Sequence, residues 1–155
     1  MSYAVAVEIT EKAAMNQSAV VDYPTYSSAR THFKDILDAT ERGGSVTVSR
    51  DGQVSVVLQA DRLRSFFSRA VSPRVELARE DDRVIALMSG RPFVSEGASV
   101  DSALADLIES LREYAEDWET RLQQAPNHRD NWALVQLIKL SSDEELLEWF
   151  ERDGE

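Results

Sequence analysis

The side chains able to do chemistry in this chain are arginines and carboxylates, with no nucleophile poised beside a base. Arg30 follows Ser27 and Ser28, either of which can cap a helix. In that setting a guanidinium, hydroxyls and the amides of a helix start could hold a phosphate between them. Arg50 stands before Asp51-Gly52 between two runs of alternating valines, which puts it at a hairpin tip. In the second half, Asp106, Glu109, Glu113, Glu116 and Asp117 lie opposite an apolar helical stripe. Such a face is either a solvated surface or an electrostatic match for a basic protein. Trp132, Trp149 and Phe150 sit on short terminal elements. Aromatics so placed either anchor a partner or fold back onto the long helix; the reading favours fold-back for Trp132 and leaves Trp149 open.

Other chemistries are disfavoured by what is missing. The chain has no cysteine and two histidines, and His32 and His128 lie far apart, so neither a thiolate zinc site nor an imidazole cluster is expected. Glu80-Asp81-Asp82 is an acidic triplet in a turn, where nothing fixes the mutual geometry of the carboxylates. No glycine-rich phosphate loop or nucleophile motif is present. The expectation is therefore no catalytic residue, no metal and no cofactor. No apolar run approaches the roughly 18 residues needed to span a bilayer, and the first residues lack a basic start followed by an apolar stretch. The expected location is the cytoplasm, with no membrane partner.

Charge divides the chain. The net charge is -11, yet residues 1–70 carry eight Lys/Arg and eight Asp/Glu, whereas residues 71–155 carry nine and twenty. A neutral half with placed arginines can present a local phosphate-binding face, and an acidic half repels nucleic acid and attracts basic proteins.

The elements that must position these residues follow from periodicity. Val5, Val7 and Ile9 alternate, predicting a strand or a mobile arm. Tyr23-Pro24-Thr25 breaks the chain. Ala29, Phe33, Ile36, Leu37 and Thr40 fall at helical spacing after Ser27 or Ser28, and Gly43-Gly44 supplies a left-handed stop. Val46 and Val48, then Val54, Val56 and Leu58, flank the turn. A three-residue loop Arg50-Asp51-Gly52 would pair Val48 with Val54 and Val46 with Val56 on one apolar face, so it is the predicted register. Leu63, Phe66, Phe67 and Ala70 predict a short second helix ended by Ser72-Pro73. One hairpin and two helices cannot close a sizeable core, which predicts a homodimer. Three short strands follow between Val75 and Val94, then a long helix over Ala103–Gln124, a break at Ala125-Pro126, a helix over Arg129–Lys139, and a last helix opened by the capping box Ser142 to Glu145.

The ordered set Tyr26-Ser27-Ser28-Ala29-Arg30, Leu37, Glu41-Arg42-Gly43-Gly44 and Val46 to Gly52 resembles the Phd/YefM antitoxin pattern over about residues 22–70. That resemblance implies a dimer that binds operator DNA of its own operon and neutralises a toxin through its C-terminal half. It carries DNA contact onto Ser27, Ser28, Arg30, Thr31 and Arg50. Ser28 replaces the usual acid, and Thr31 and His32 follow the arginine, so the resemblance does not extend to the operator sequence. Gly97 to Leu104 and Leu111 to Trp118 are similar to the strand-strand-strand-helix unit of HicB-like antitoxins over about residues 74–122.

The resulting expectation is an α+β fold: a Phd/YefM-like dimerisation module (helix, hairpin, helix), then a strand-strand-strand-helix lobe and C-terminal helices. The domain boundaries are 1–21 for an arm, 22–72 for the DNA-binding module and 73–155 for an acidic toxin-binding lobe. The expected partners are operator DNA, a second copy and a cognate toxin, a RelE-like RNase, contacted by Asp106, Glu109, Glu113, Trp149 and Phe150. A protein-binding adaptor that keeps the dimer as scaffold without binding DNA is the alternative.

Overall fold

The computed structural model describes residues 21–152. The predicted strand or arm at Val5–Ile9 lies outside the described residues. The fold is α+β, and the chain divides into two compact units at Gln59/Ala60.

The first unit is a three-stranded sheet with two helices. Strand β1 (Val21–Tyr23) pairs in parallel with β2 (Val46–Arg50), which pairs antiparallel with β3 (Gln53–Val57). Helices α1 (Tyr26–Thr31) and α2 (Phe33–Glu41) connect β1 to β2. The predicted single helix is thus broken at His32, whose φ of -110° and ψ of 25° leave helical space. Its imidazole Nδ1 donates to the Ser28 carbonyl at 2.9 Å, and its backbone N–H reaches the carbonyls of Ser28 and Ala29, which closes the end of α1. The cap is also different from that predicted. Thr25, not Ser27 or Ser28, is the cap: its side chain accepts the Ser28 N–H at 3.1 Å, so the helix starts two or three residues earlier than predicted. Gly43, at φ 89°, stops α2 as expected.

The hairpin corrects the predicted register. Its turn has two residues, Asp51 at φ 50° and Gly52 at φ 78°. Val48 lies opposite Ser55, Val46 opposite Val57 and Arg50 opposite Gln53. A turn with both central residues left-handed matches the right-handed twist of the strands, and that preference outweighs gathering all valines on one face. Val46, Val48 and Val57 therefore face the helices, and Val54 and Val56 face outward.

The second unit opens with α3 (Ala60–Ala70), the helix expected to close the first module. Its Phe67 belongs to the core of the second unit. Strands β4 (Val75–Glu80), β5 (Arg83–Met88) and β6 (Val94–Gly97) form an antiparallel sheet in chain order, confirming the three short strands. Val84, Ala86 and Met88 alternate inward from β5 beneath α4 (Val100–Asp117). Leu107, Ile108, Leu111 and Ala115 form the buried stripe of that helix. It begins at a Ser99–Ser102 capping box and passes into a π-helical turn over Trp118–Leu122. A 3-10 turn, Arg129–Asn131, leads to α5 (Trp132–Leu140), and the predicted Ser142–Glu145 capping box opens α6 (Asp143–Glu151). Arg64 of α3 pairs with Glu145 of α6 at 3.0 Å and is partly buried, so it links the two helices.

Gly97 is where β6 meets the start of α4. A Cβ there would lie 2.4 Å from the Ala103 nitrogen and 2.7 Å from the Ser102 carbonyl carbon. Both are backbone atoms, so the strand or the helix would have to move. Gly97→Ala is expected to destabilise the chain by about 1–3 kcal/mol, the usual cost of overpacking. Urea unfolding followed by tryptophan fluorescence measures this, and an unchanged midpoint would rule out the tight approach.

Candidate functional site

Two surfaces collect the residues singled out by the sequence. On the first unit, Arg50 at the end of β2 holds its guanidinium 5.7 Å from the centre of the Tyr26 ring and pairs with Asp51 at 3.3 Å. Tyr26 and Arg30 are four residues apart on α1 and share a helix face. Arg50 and Arg30 are thereby brought to one side of the unit through Tyr26. Arg30 falls in the last turn of α1, not the first, because the helix is six residues long. The Ser28 amide is committed to Thr25, so a phosphate held at that amide is not what the geometry offers. Ser27 and Thr31 are exposed, and the Thr31 hydroxyl donates to the Ser27 carbonyl at 3.0 Å. Lys34, one turn further on, is hydrogen-bonded to Asp38 at 2.6 Å, and that bond with the carboxylate charge raises its pKa.

The same unit leaves apolar surface uncovered. Only Ala29, Ile36 and Val46 make its fully buried apolar cluster among the described residues. Tyr26, Phe33, Leu37, Val54 and Val56 are exposed, Val54 to 68%. Tyr26, Phe33, Ile36, Val48 and Val57 line an open groove of about 500 Å³, with Arg30 beside them.

On the second unit, Asp106, Glu109 and Glu113 are all exposed on α4. Asp106 accepts the Glu96 N–H at 3.4 Å. Glu109, Glu113 and Glu116 line a shallow groove with Asp143 from α6. Arg112 runs through this face. It donates to the carbonyls of Ile138 and Ser141 and to the Asp143 carboxylate at 2.7 Å, tying α4 to the end of α5 and the start of α6. At the end of α4, the Arg121 hydrogen bond holds the Asp117 carboxyl below its ordinary pKa.

The aromatic part of the predicted toxin-contact set is corrected. Trp149 is 2% exposed and Phe150 6%, and the Trp149 indole N–H donates to the Val71 carbonyl at 2.8 Å. Both are core residues and offer nothing to a partner's surface. Trp132, for which fold-back was favoured, does stack edge-on against Phe67 at 5.3 Å between ring centroids but stays 49% exposed. His128 is a loop residue whose Nδ1 meets the Tyr114 hydroxyl at 3.0 Å. Among the described residues, no group of three or more His, Asp or Glu side chains is placed to hold a metal, and no helix is long and apolar enough to cross a membrane.

The model of a PHD-like family, described as antitoxin of toxin-antitoxin, RelE/RelB, TA system, matches residues 22–151. The chain belongs to this family of antitoxins. One model thus spans both units, running through the place where the sequence pattern changed from one resemblance to another. A crystal structure of an antitoxin from Syntrophomonas wolfei subsp. wolfei has the same fold, with a TM-score of 0.67 at 22% identity, covering 84% of this antitoxin and 94% of that chain. No curated protein matches the antitoxin.

Arg112 is the residue that sequence reasoning missed. Nothing in its local sequence sets it apart, and only the long-range return of α5 and α6 gives it work. Replacing it by methionine keeps the aliphatic stem but leaves two carbonyls and a carboxylate without their donor. Arg112→Met should cost about 2 kcal/mol, the scale of charge-assisted bonds to partly buried groups. A thermal midpoint equal to that of the parent chain would refute the tie.

Proposed function

We propose that this antitoxin binds operator DNA as a homodimer through its first unit and neutralises a RelE-like RNase through the acidic face of its second. The observation that carries the DNA reading is the Arg50–Tyr26 stack, which fixes the hairpin-tip arginine on the side of α1 that bears Arg30. A stacked guanidinium has lost part of its rotamer freedom before it meets a phosphate. Arg30 and Arg50 contact the DNA, assisted by the hydroxyls of Ser27, Ser28 and Thr31. Without an overall positive charge the DNA reading rests on such placed arginines, since phosphate contacts supply most of non-specific affinity.

Dimerisation is supported by the mismatch between three buried apolar residues and six exposed ones in the same unit, Val21 among them. A partner copy covering Phe33 and Leu37 completes a core that the unit does not complete alone. The boundaries 22–72 and 73–155 remain the functional division proposed, with α3 as the joining helix that packs into the second unit. The second unit reads as a HicB-like lobe that offers the toxin a preformed surface at Asp106, Glu109 and Glu113. The role is regulatory and non-enzymatic, and it is exercised in the cytoplasm, where operator and toxin are found.

Three outcomes test this reading. Arg30→Ala with Arg50→Ala should abolish operator binding in gel-shift assays while the protein stays folded, and wild-type affinity should fall steeply with salt; undiminished binding by the double variant would sink the DNA assignment and favour an adaptor that keeps the dimer as scaffold. Phe33→Glu should turn the dimer into a monomer by light scattering, whereas a persisting dimer places the interface elsewhere. Glu109→Lys with Glu113→Lys should weaken a toxin complex by about tenfold or more without altering operator binding.

A further inference from the structure

From Val84 onward, strand β5 is apolar on both of its sides. Val84, Ala86 and Met88 are buried beneath α4, and between them Ile85 and Leu87 face the other way. An antiparallel strand with one solvated face alternates apolar with polar residues, whereas an unbroken apolar run suits a strand covered on both faces. Ile85 and Leu87 are half-buried and stand apart from the core of the unit.

The pairing register assembles this second face. Leu87 lies between Glu76 of β4 and Val94 of β6, and Ile85 lies between Ala78 and Glu96. Arg83, opposite Glu80, closes the end towards the turn. Val94 is 64% exposed, and Ala78 is exposed beside it. The centre of the face is therefore apolar, and its rim carries three carboxylates against one guanidinium. Arg83 pairs with Glu96 at 2.9 Å, and Glu76 accepts the Ser89 hydroxyl, which leaves the Glu76 charge in place. Glu80 adds a second uncompensated charge next to the exposed Asp81 and Asp82 of the turn. Arg79, opposite Val84, belongs to the α4 side.

Size and charge select what covers this face. With strands about 4.8 Å apart and residues about 3.3 Å apart, a face three strands wide and about five residues long measures roughly 14 by 17 Å. That is well short of the roughly 800 Å² per partner of a stable dimer, and a second copy would bring like carboxylates against each other. An α-helix is about 10 Å across and rises about 1.5 Å per residue, so about three turns cover the face. We propose that the open face of the second sheet docks a basic amphipathic helix of a partner protein. The apolar stripe of that helix lies on Ile85, Leu87 and Val94, and its flanking lysines or arginines meet Glu76 and Glu80. This docking is separate from the toxin contact proposed at α4, which covers the opposite face of the sheet, and it stands whether or not Glu109 and Glu113 meet a toxin.

An NMR titration of the isotope-labelled full chain with a synthetic leucine-lysine peptide, patterned as an amphipathic helix of about four turns, tests the docking. The controls are a peptide of the same composition in scrambled order and one with glutamate in place of lysine. Saturable shifts centred on the amides of Ile85, Leu87 and Val94 are expected from the first peptide, with affinity about tenfold or more lower for either control. Leu87→Thr keeps a strand-forming residue and should lose about tenfold in affinity. Val94→Thr preserves side-chain shape at an exposed position, so it should fold as the parent does and lose affinity several-fold. Shifts centred on α4, no saturable response, equal affinity for a control peptide, or undiminished binding by both variants would each overturn the docking. None of these readouts involves toxin or operator, so such a result would leave the α4 contact standing.

Discussion

The positive φ values of Asp51 and Gly52 set the hairpin register, and a register set one residue differently would reverse which strand side meets the helices. With the two-residue turn, Val46, Val48 and Val57 close on Ile36 and Ala29, and Val54 and Val56 point away. The outward valines are the consequence of a turn preference, and they are tolerable only because β-branched residues suit a strand even on its open face. Everything proposed for the first unit follows from that register. Arg50 faces Gln53 at the last rung, on the side of the sheet where α1 lies, and there it reaches Tyr26.

The second unit is held differently. Its core runs continuously from β5 through α4, α5 and α6 and includes two buried tryptophans, Trp118 and Trp149. Each indole N–H has a backbone carbonyl to receive it, at His128 and Val71 respectively, so neither ring leaves a polar atom unpaired. The acidic surface of α4 is rigid for the same reason. Its helix is fixed from beneath by the apolar stripe and from the side by Arg112, leaving Glu109, Glu113 and Glu116 on a surface that need not order on binding.

Legibility in the sequence tracked the distance over which each feature is decided. The Gly43 stop, the strands of the second sheet and the Ser142–Glu145 capping box are fixed by residues a few positions apart, and each is where its pattern places it. The hairpin parity was not, because both registers preserve alternation and only the assumption of a single apolar face chose between them. Strand β1 carries no local signal: its parallel pairing with β2 joins Val21 to Val46, and its Asp22 takes a hydrogen bond from the Thr47 hydroxyl at 2.6 Å. Burial of Trp149 depends on a carbonyl at Val71, in a part of the sequence that gives no hint of contact. Of the candidate sites, the residue types were legible and their neighbours were not. Arg30 and Arg50 could be named, but their connection through Tyr26 could not.

The two units solve the problem of small size in opposite ways, and under the proposed function this bears on how one chain would serve both operator DNA and a toxin. The second unit buries enough apolar surface to hold its own shape, which is what a preformed acidic face requires. The first unit buries three apolar residues fully and leaves six large ones exposed among its described residues, so covering them would add to its stability. Under the proposed dimer, occupancy of that apolar surface sets how well Arg30 and Arg50 are positioned, while the α4 face is unaffected by it. Operator affinity then varies with protein concentration, and toxin affinity does not. Under that proposal the difference would follow from the unequal cores of the two units.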